Sequence, residues 1–187
     1  MVVTRTRITA DEFLAMERDE FDTRRYELVD GEVVVNAPVL WHQHVSLEIA
    51  GTLRAWAQAE RGRGVATIWI DVKLDQYNVY EPDVLWYAQD RAPSLTDRPP
   101  YPIPGLAVEV RSPSTWRKDV GRKKAVYEAR GVGELWLVDF TAVLVYRRSG
   151  PKQATFDVEL ELAPEETLTS PLLPGFALPV ARLYPEG

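Results

Sequence analysis

Cysteine is absent from the 187-residue chain, histidine occurs only twice, and no apolar run approaches the length of a membrane span. Each absence excludes chemistry. Without thiols there is no disulfide framework, no thiolate zinc site, no cysteine nucleophile and no iron–sulfur cluster. A bilayer crossing needs about 20 consecutive apolar residues, and the opening MVVTRTRITADEFLAME also lacks the apolar core of a secretory signal. A cytoplasmic, reducing setting is therefore expected. His42 and His44 lie two residues apart, so on a helix they face different ways, and no HExxH segment is present. Both facts argue against a zinc hydrolase, and His44 is expected at the surface.

Positive charge is also scarce. The balance is 22 Lys plus Arg against 28 Asp plus Glu, a net charge of −6, which does not suit a sequence-independent nucleic-acid coat. The distribution is uneven, however. Arg111 to Arg130 carries seven basic residues against Asp119 and Glu128, whereas the first sixty residues carry six Arg against eleven carboxylates. A basic island of this kind commonly forms a solvated helix face. With 45% hydrophobic residues, a chain of this size buries roughly 70% of the surface its unfolded form exposes. One domain spanning residues 1–187 is expected, without repeats or low-complexity tracts.

Thr9 and Glu12 have the spacing of a capping box, predicting a short helix through Glu17. Tyr26–Val29 and Val33–Val35 predict two strands joined through Asp30-Gly31, a pair suited to the positive φ of a tight hairpin. His42–Glu60 returns to helical spacing, with Val45, Ile49, Leu53 and Trp56 forming one apolar stripe. Strand composition marks Val65–Leu74, Val84–Tyr87, Leu106–Val110, Glu134–Phe140, Val143–Arg148 and Asp157–Leu162. Five prolines between Pro93 and Pro104 predict a surface loop, Arg117–Arg130 reads as a helix closed by Gly131, and the tail reads as a packed extended segment.

Glu109 stands out among these elements. A carboxylate within Leu106–Val110, in a strand that reads as central, is costly to desolvate unless it is paired or bound to a metal. Two cations could meet that need. One is a hard divalent metal held by oxygens of Asp83 and Glu109. The other is a lysine, and Lys123 shares a helix face with Asp119 and Tyr127 at steps of four. Together these parts can hydrolyse a phosphodiester, the metal polarising the phosphoryl oxygen and the lysine orienting water or stabilising developing charge.

EPDV at Glu81–Val84, EVRSPST at Glu109–Thr115, the Asp119–Lys123–Tyr127 spacing and GVGELWLVD at Gly131–Asp139 together resemble the Uma-type restriction endonucleases of the PD-(D/E)XK nuclease superfamily. ITADEFLAM, RRYELVDGEVV, WHQHV and LLPGFALPV occur in the order usual for that family, so the resemblance covers nearly the whole chain. It implies an α/β (α+β) restriction-endonuclease-like core, a mixed central sheet flanked by helices with an N-terminal helix and hairpin. The implied reaction is DNA cleavage with Mg²⁺, or Mn²⁺ in its place. On the matching positions Asp83, Glu109 and the carbonyl of Val110 would hold metal, Glu27 would complete the acidic cluster, and Lys123 would be the catalytic lysine. His42 would stand nearby. Beside such a site, His42, Arg111 and the basic-island residues Arg122 and Lys124 are expected to bind substrate. The chain departs from the superfamily pattern where the E-x-K element ends in Arg111, which stays protonated and cannot act as a base.

Plainer readings exist for several of these residues. Glu27 alone reads as a solvated strand residue, and Asp83 after Pro82 reads as a turn former. Ser112 and Ser114 beside Pro113 read as turn chemistry, since no nucleophile elbow surrounds them. Trp69, Trp86 and Trp136 read as core or interface, and Tyr127 as packing under its helix. The rival function is a non-catalytic nuclease-fold protein that binds nucleic acid or forms a homodimer through exposed aromatics and its acidic face. The joint presence of Asp83, Glu109 and Lys123 favours the enzyme, because binding alone needs no carboxylate pair beside one lysine.

Overall fold

The computed structural model describes residues 7–17, 24–36, 39–112, 116 and 119–184, and for Asp119 its backbone only. The expectations for Ser114, Pro113 and the Asp119 side chain lie outside the described side chains.

Helix α1 (Ala10–Leu14) opens on the expected capping box, with Thr9 and Glu12 exchanging hydrogen bonds, but it ends before Glu17. Strands β1 (Arg25–Val29) and β2 (Glu32–Asn36) pair antiparallel through Asp30 and Gly31, at φ 53° and 78°. Asp tolerates this left-handed region better than most residues and Gly freely, so the sequence suits the turn. Helix α2 (Leu40–Ala59) starts two residues before the expected position and buries Val45, Ile49, Leu53 and Trp56 as one stripe.

The predicted strand Val65–Leu74 is two strands in two sheets. β3 (Val65–Thr67) pairs with β6 (Val84–Tyr87), whereas β4 (Val72–Asp75) pairs with β5 (Asn78–Tyr80), a short strand the sequence pattern does not single out. Between them Trp69 takes φ 51°, which turns the chain out of one sheet toward the other. An aromatic residue rarely adopts this conformation, so composition could not signal the break.

A six-stranded sheet runs β10 (Val158–Leu162), β9 (Val143–Arg147), β8 (Glu134–Val138), β7 (Leu106–Val110), β6, β3. Its β7–β8 pair is parallel and the other pairs antiparallel, the mixed sheet that was expected. A second sheet has the order β2, β1, β5, β4. A two-stranded element, β11 (Thr167–Leu168) with β12 (Leu178–Pro179), and a 3₁₀ turn (Val180–Leu183) replace the extended tail that was expected.

Alternation along β7 divides two cores. Leu106, Val108 and Val110 pack with α2, Trp136, Phe176 and Leu183, while Ala107 packs on the other face with Tyr80, Tyr87, Val126 and Tyr127. Glu109 shares the parity of Ala107, so its carboxylate faces the second core and the second sheet. After β7, Trp116 is helical, and farther on a π turn (Asp119–Lys123) continues as α3 (Lys124–Ala129), followed by Gly131 at φ 84°. Gly121 weakens regular α-helix inside that turn, and wide turns of this type recur at functional sites.

Candidate active site

The two sheets and two helices meet at a pocket lined by Arg25, Asn36, His42, Glu81, Asp83, Glu109, Val110, Ser112 and Lys123. Arg25 and Glu27 come from alternate positions of β1, and Asn36 from its hairpin partner β2. Asp83 immediately precedes β6. Val84 pairs with Val108, so one step beyond this register Asp83 stands beside Glu109. His42 comes from the first turns of α2, Lys123 from the π turn and Tyr127 from α3.

Lys123 is buried between two carboxylates. Its Nζ lies 2.8 Å from Glu27 Oε1 and 2.9 Å from Glu109 Oε1, and the three residues are 2%, 1% and 4% exposed. Tyr127 donates its hydroxyl to the same Glu109 oxygen at 2.6 Å. Burial, then the Glu109 charge, holds the Tyr127 hydroxyl well above the ordinary tyrosine range, so it remains a donor. Glu27 accepts from the Glu81 backbone N–H at 3.0 Å and from Asn36 Nδ2 at 2.9 Å. The ring of Tyr80 lies 5.2 Å from the ammonium, a cation–π contact.

Asp83 is held as firmly. Arg25 reaches its Oδ1 at 2.7 Å, His42 Nε2 its Oδ2 at 3.0 Å, and the Val110 N–H donates to Oδ2 at 2.7 Å. Burial raises the Asp83 pKa, but the bond and charge of His42, then Arg25 and the Val110 N–H, outweigh it and hold the carboxyl below its ordinary value. Burial lowers the Arg25 pKa, and Asp83, with the charges of Glu81 and Glu109, more than restores it. Glu27 is not the solvated strand residue of its plainer reading, because it is buried and bonded, while Asp83 does sit at a bend before β6 with its side chain buried and ion-paired. Among the described residues no group of three or more His, Asp or Glu is placed to hold a metal ion.

A larger hollow of about 350 Å³ lies beside α2, lined by Leu40, Leu47, Ile68, Trp69 and others. Among the described residues that line it, none carries a carboxylate. His44 lines it half-buried, not at the open surface as expected, and Trp69 is half-buried as well, whereas Trp86 and Trp136 are core residues.

Residues 10–181 match the model of a family described as "Uma2: Putative restriction endonuclease". The chain belongs to the Uma2 family. Among solved structures it is similar to "a putative nuclease belonging to DUF820 from Anabaena variabilis", with TM-score 0.75 and 19% identity over 95% of this chain and 97% of that one. At that identity the likeness establishes the shared fold. No curated protein matches the sequence.

Within the Uma2 chain, the structure brings Glu27, Asp83, Glu109, Val110, His42 and Lys123 together and sets three other expected residues apart. Arg111 binds Asp139 at 2.5 Å and packs against Trp116 and Phe140. Arg122 binds Asp30 at 2.5 Å, and Lys124 lies 3.9 Å from the ring centre of Tyr146. None of the three lines the pocket. Arg25 and Asn36 were missed, as was the Tyr127 hydrogen bond. The available signal for Arg25 was its spacing of two from Glu27 on a strand, which places both side chains on one face.

Proposed function

We propose that this Uma2 chain is a divalent-metal-dependent DNA endonuclease. The observation that carries the reading is Lys123, an ammonium buried between Glu27 and Glu109 in the pocket that also holds Asp83. A buried ion cluster is a poor route to stability, because desolvation offsets most of the Coulombic gain. Its cost is intelligible where charges are needed for chemistry.

The donor set suits a hard ion. Asp83 and Glu109 bring two carboxylates into one pocket that Val110 also lines, and Mg²⁺ commonly takes one or two carboxylates while keeping several waters. Those three residues would hold Mg²⁺ or Mn²⁺, which when bound supplies Lewis-acid polarisation of a phosphoryl oxygen. The chain's own groups position the reaction. Tyr127 and Lys123 fix one oxygen of Glu109, the Val110 N–H and His42 fix one oxygen of Asp83, and Asn36 fixes Glu27. Lys123 then directs the attacking water and stabilises the charge that develops at the phosphoryl group.

The absence of cysteine supports a cytoplasmic setting, and one domain over residues 1–187 remains our reading. Leu40 and Leu47, 86% and 72% exposed on the outer side of α2, support a homodimer. Metal titration followed by nicking of supercoiled plasmid tests the activity.

A further inference from the structure

Among the described residues, two cationic side chains from Lys and Arg line the pocket, and the sequence pattern pointed to only one of them. Lys123 is engaged by Glu27 and Glu109. Arg25 is engaged differently. Its side chain is 12% exposed, one terminal nitrogen meets Asp83 Oδ1 at 2.7 Å, and its Nε is buried without a hydrogen-bond partner. A guanidinium carries five N–H donors in a planar fork suited to two oxygens of one phosphate. A buried N–H without an acceptor is unfavourable until a ligand supplies one.

The platform beneath Arg25 is built. The guanidinium lies 5.2 Å from the centre of the Trp69 ring, and Trp69 is the residue held at φ 51°. Its N–H donates to Pro82 O at 3.3 Å, which ties the strained turn to the segment that carries Asp83. Strain of this kind persists only where surrounding structure enforces it, and it is often found at ligand clamps.

We propose that Arg25 is the phosphate-binding residue of this site, held on Asp83 until a divalent cation takes that carboxylate. The inference rests on the nuclease reading and deepens it. The charges balance. In this structure the Arg25 cation offsets the Asp83 anion; with metal on Asp83, Arg25 loses its counter-charge, and the monoanionic phosphodiester replaces it. Stacking on Trp69 keeps the guanidinium plane oriented, and the Nε–H then gains a phosphate oxygen. Arg25 and metal therefore compete for Asp83, while Arg25 and phosphate attract.

The two couplings have opposite signs, and the test uses both. Mn²⁺ binding without DNA is measured by calorimetry, and binding of a fluorescein-labelled duplex oligonucleotide by anisotropy with Ca²⁺ in place of Mg²⁺. Arg25→Gln should bind Mn²⁺ several-fold more tightly and the oligonucleotide about tenfold more weakly, roughly the loss of one charge-assisted bond. Arg25→Lys should recover part of the oligonucleotide affinity. A merely structural Arg25 would weaken both in Arg25→Gln, and that result overturns the inference. Should Arg25→Gln fail to fold, wild-type protein carrying ¹⁵N-arginine decides. The Arg25 Nε–H resonance, assigned by its loss in Arg25→Lys, should shift on adding Mg²⁺ and again on adding oligonucleotide, and a resonance unmoved by both overturns the inference. Wild type that binds neither Mn²⁺ nor oligonucleotide overturns the nuclease reading together with this one. Binding of both, unaltered in Arg25→Gln, overturns the Arg25 assignment alone.

Discussion

Lys123 and Glu109, fourteen residues apart in sequence, meet at 2.9 Å inside the protein, the one from a π turn and the other from a central strand. Removing the cation strands two carboxylates in a buried space. Lys123→Met should destabilise the fold by about 3–5 kcal/mol, the usual cost of breaking a buried pair. Adding Glu27→Gln to that variant should restore part of the loss, since one uncompensated charge disappears. Urea unfolding of the four proteins in the cycle checks this, and equal stability of wild type and Lys123→Met would contradict it.

Tyr127 gives a finer test. Its hydroxyl donates to Glu109 at 2.6 Å within a fully buried environment. Tyr127→Phe keeps the ring against Tyr80 but removes the donor, and bonds to charged groups contribute about 1.5–3 kcal/mol. A loss in that range, read from the urea midpoint at unchanged slope, is expected. No measurable loss would mean that Glu109 does not depend on this bond.

Arg111 allows the positions of the basic residues to be tested. It pairs with Asp139 at 2.5 Å away from the pocket lining. Arg111→Ala should therefore lower affinity for DNA modestly and reduce its salt dependence, with single-turnover cleavage at saturating DNA retained. Abolished turnover at saturation would transfer the chemical role from Lys123 to Arg111.

How much of this site was legible in the sequence depended on which kind of contact made it. Glu109 was legible because its apolar neighbours in Leu106–Val110 made its burial expensive, and Lys123 because it lies on the helix that follows. The resemblance added Asp83, Glu27 and His42. Spacing could place Arg25 on the face of Glu27, but its role was not legible, because it depends on a partner 58 residues away and a tryptophan in the turn between two sheets. The orientations of Arg111, Arg122 and Lys124 depend on Asp139, Asp30 and Tyr146, none of them close in sequence. In the fold, alternation and helical stripes located most elements. The split at Trp69 escaped because it rests on a backbone conformation that composition does not encode.

Glu134 supplies a pH signature outside the site. It is fully buried, accepts bonds from Trp136 and Ser170 at 2.7 and 2.6 Å, and burial raises its pKa although those bonds oppose the rise. A raised folded-state pKa stabilises the fold fully below the unfolded value, and the contribution is lost as pH rises through the folded value. Glu134→Gln abolishes this titration. Its melting temperature relative to wild type should therefore rise as pH increases from the ordinary glutamate value through the raised folded value. A difference that falls over that range would contradict the assignment.

The central claim is that the pocket around Lys123 hydrolyses phosphodiesters with a divalent metal. Nicking of supercoiled plasmid by the purified full chain, with Mg²⁺, with Mn²⁺ and with EDTA, measures it most directly when wild type is run beside Glu109→Gln, a variant that leaves Lys123 its 2.8 Å contact with Glu27. The account predicts metal-dependent nicking by wild type, none in EDTA, and a loss of at least about a hundredfold in the folded variant. Nicking that survives Glu109→Gln or EDTA, or a folded, metal-loaded wild type that leaves the plasmid intact, would contradict it.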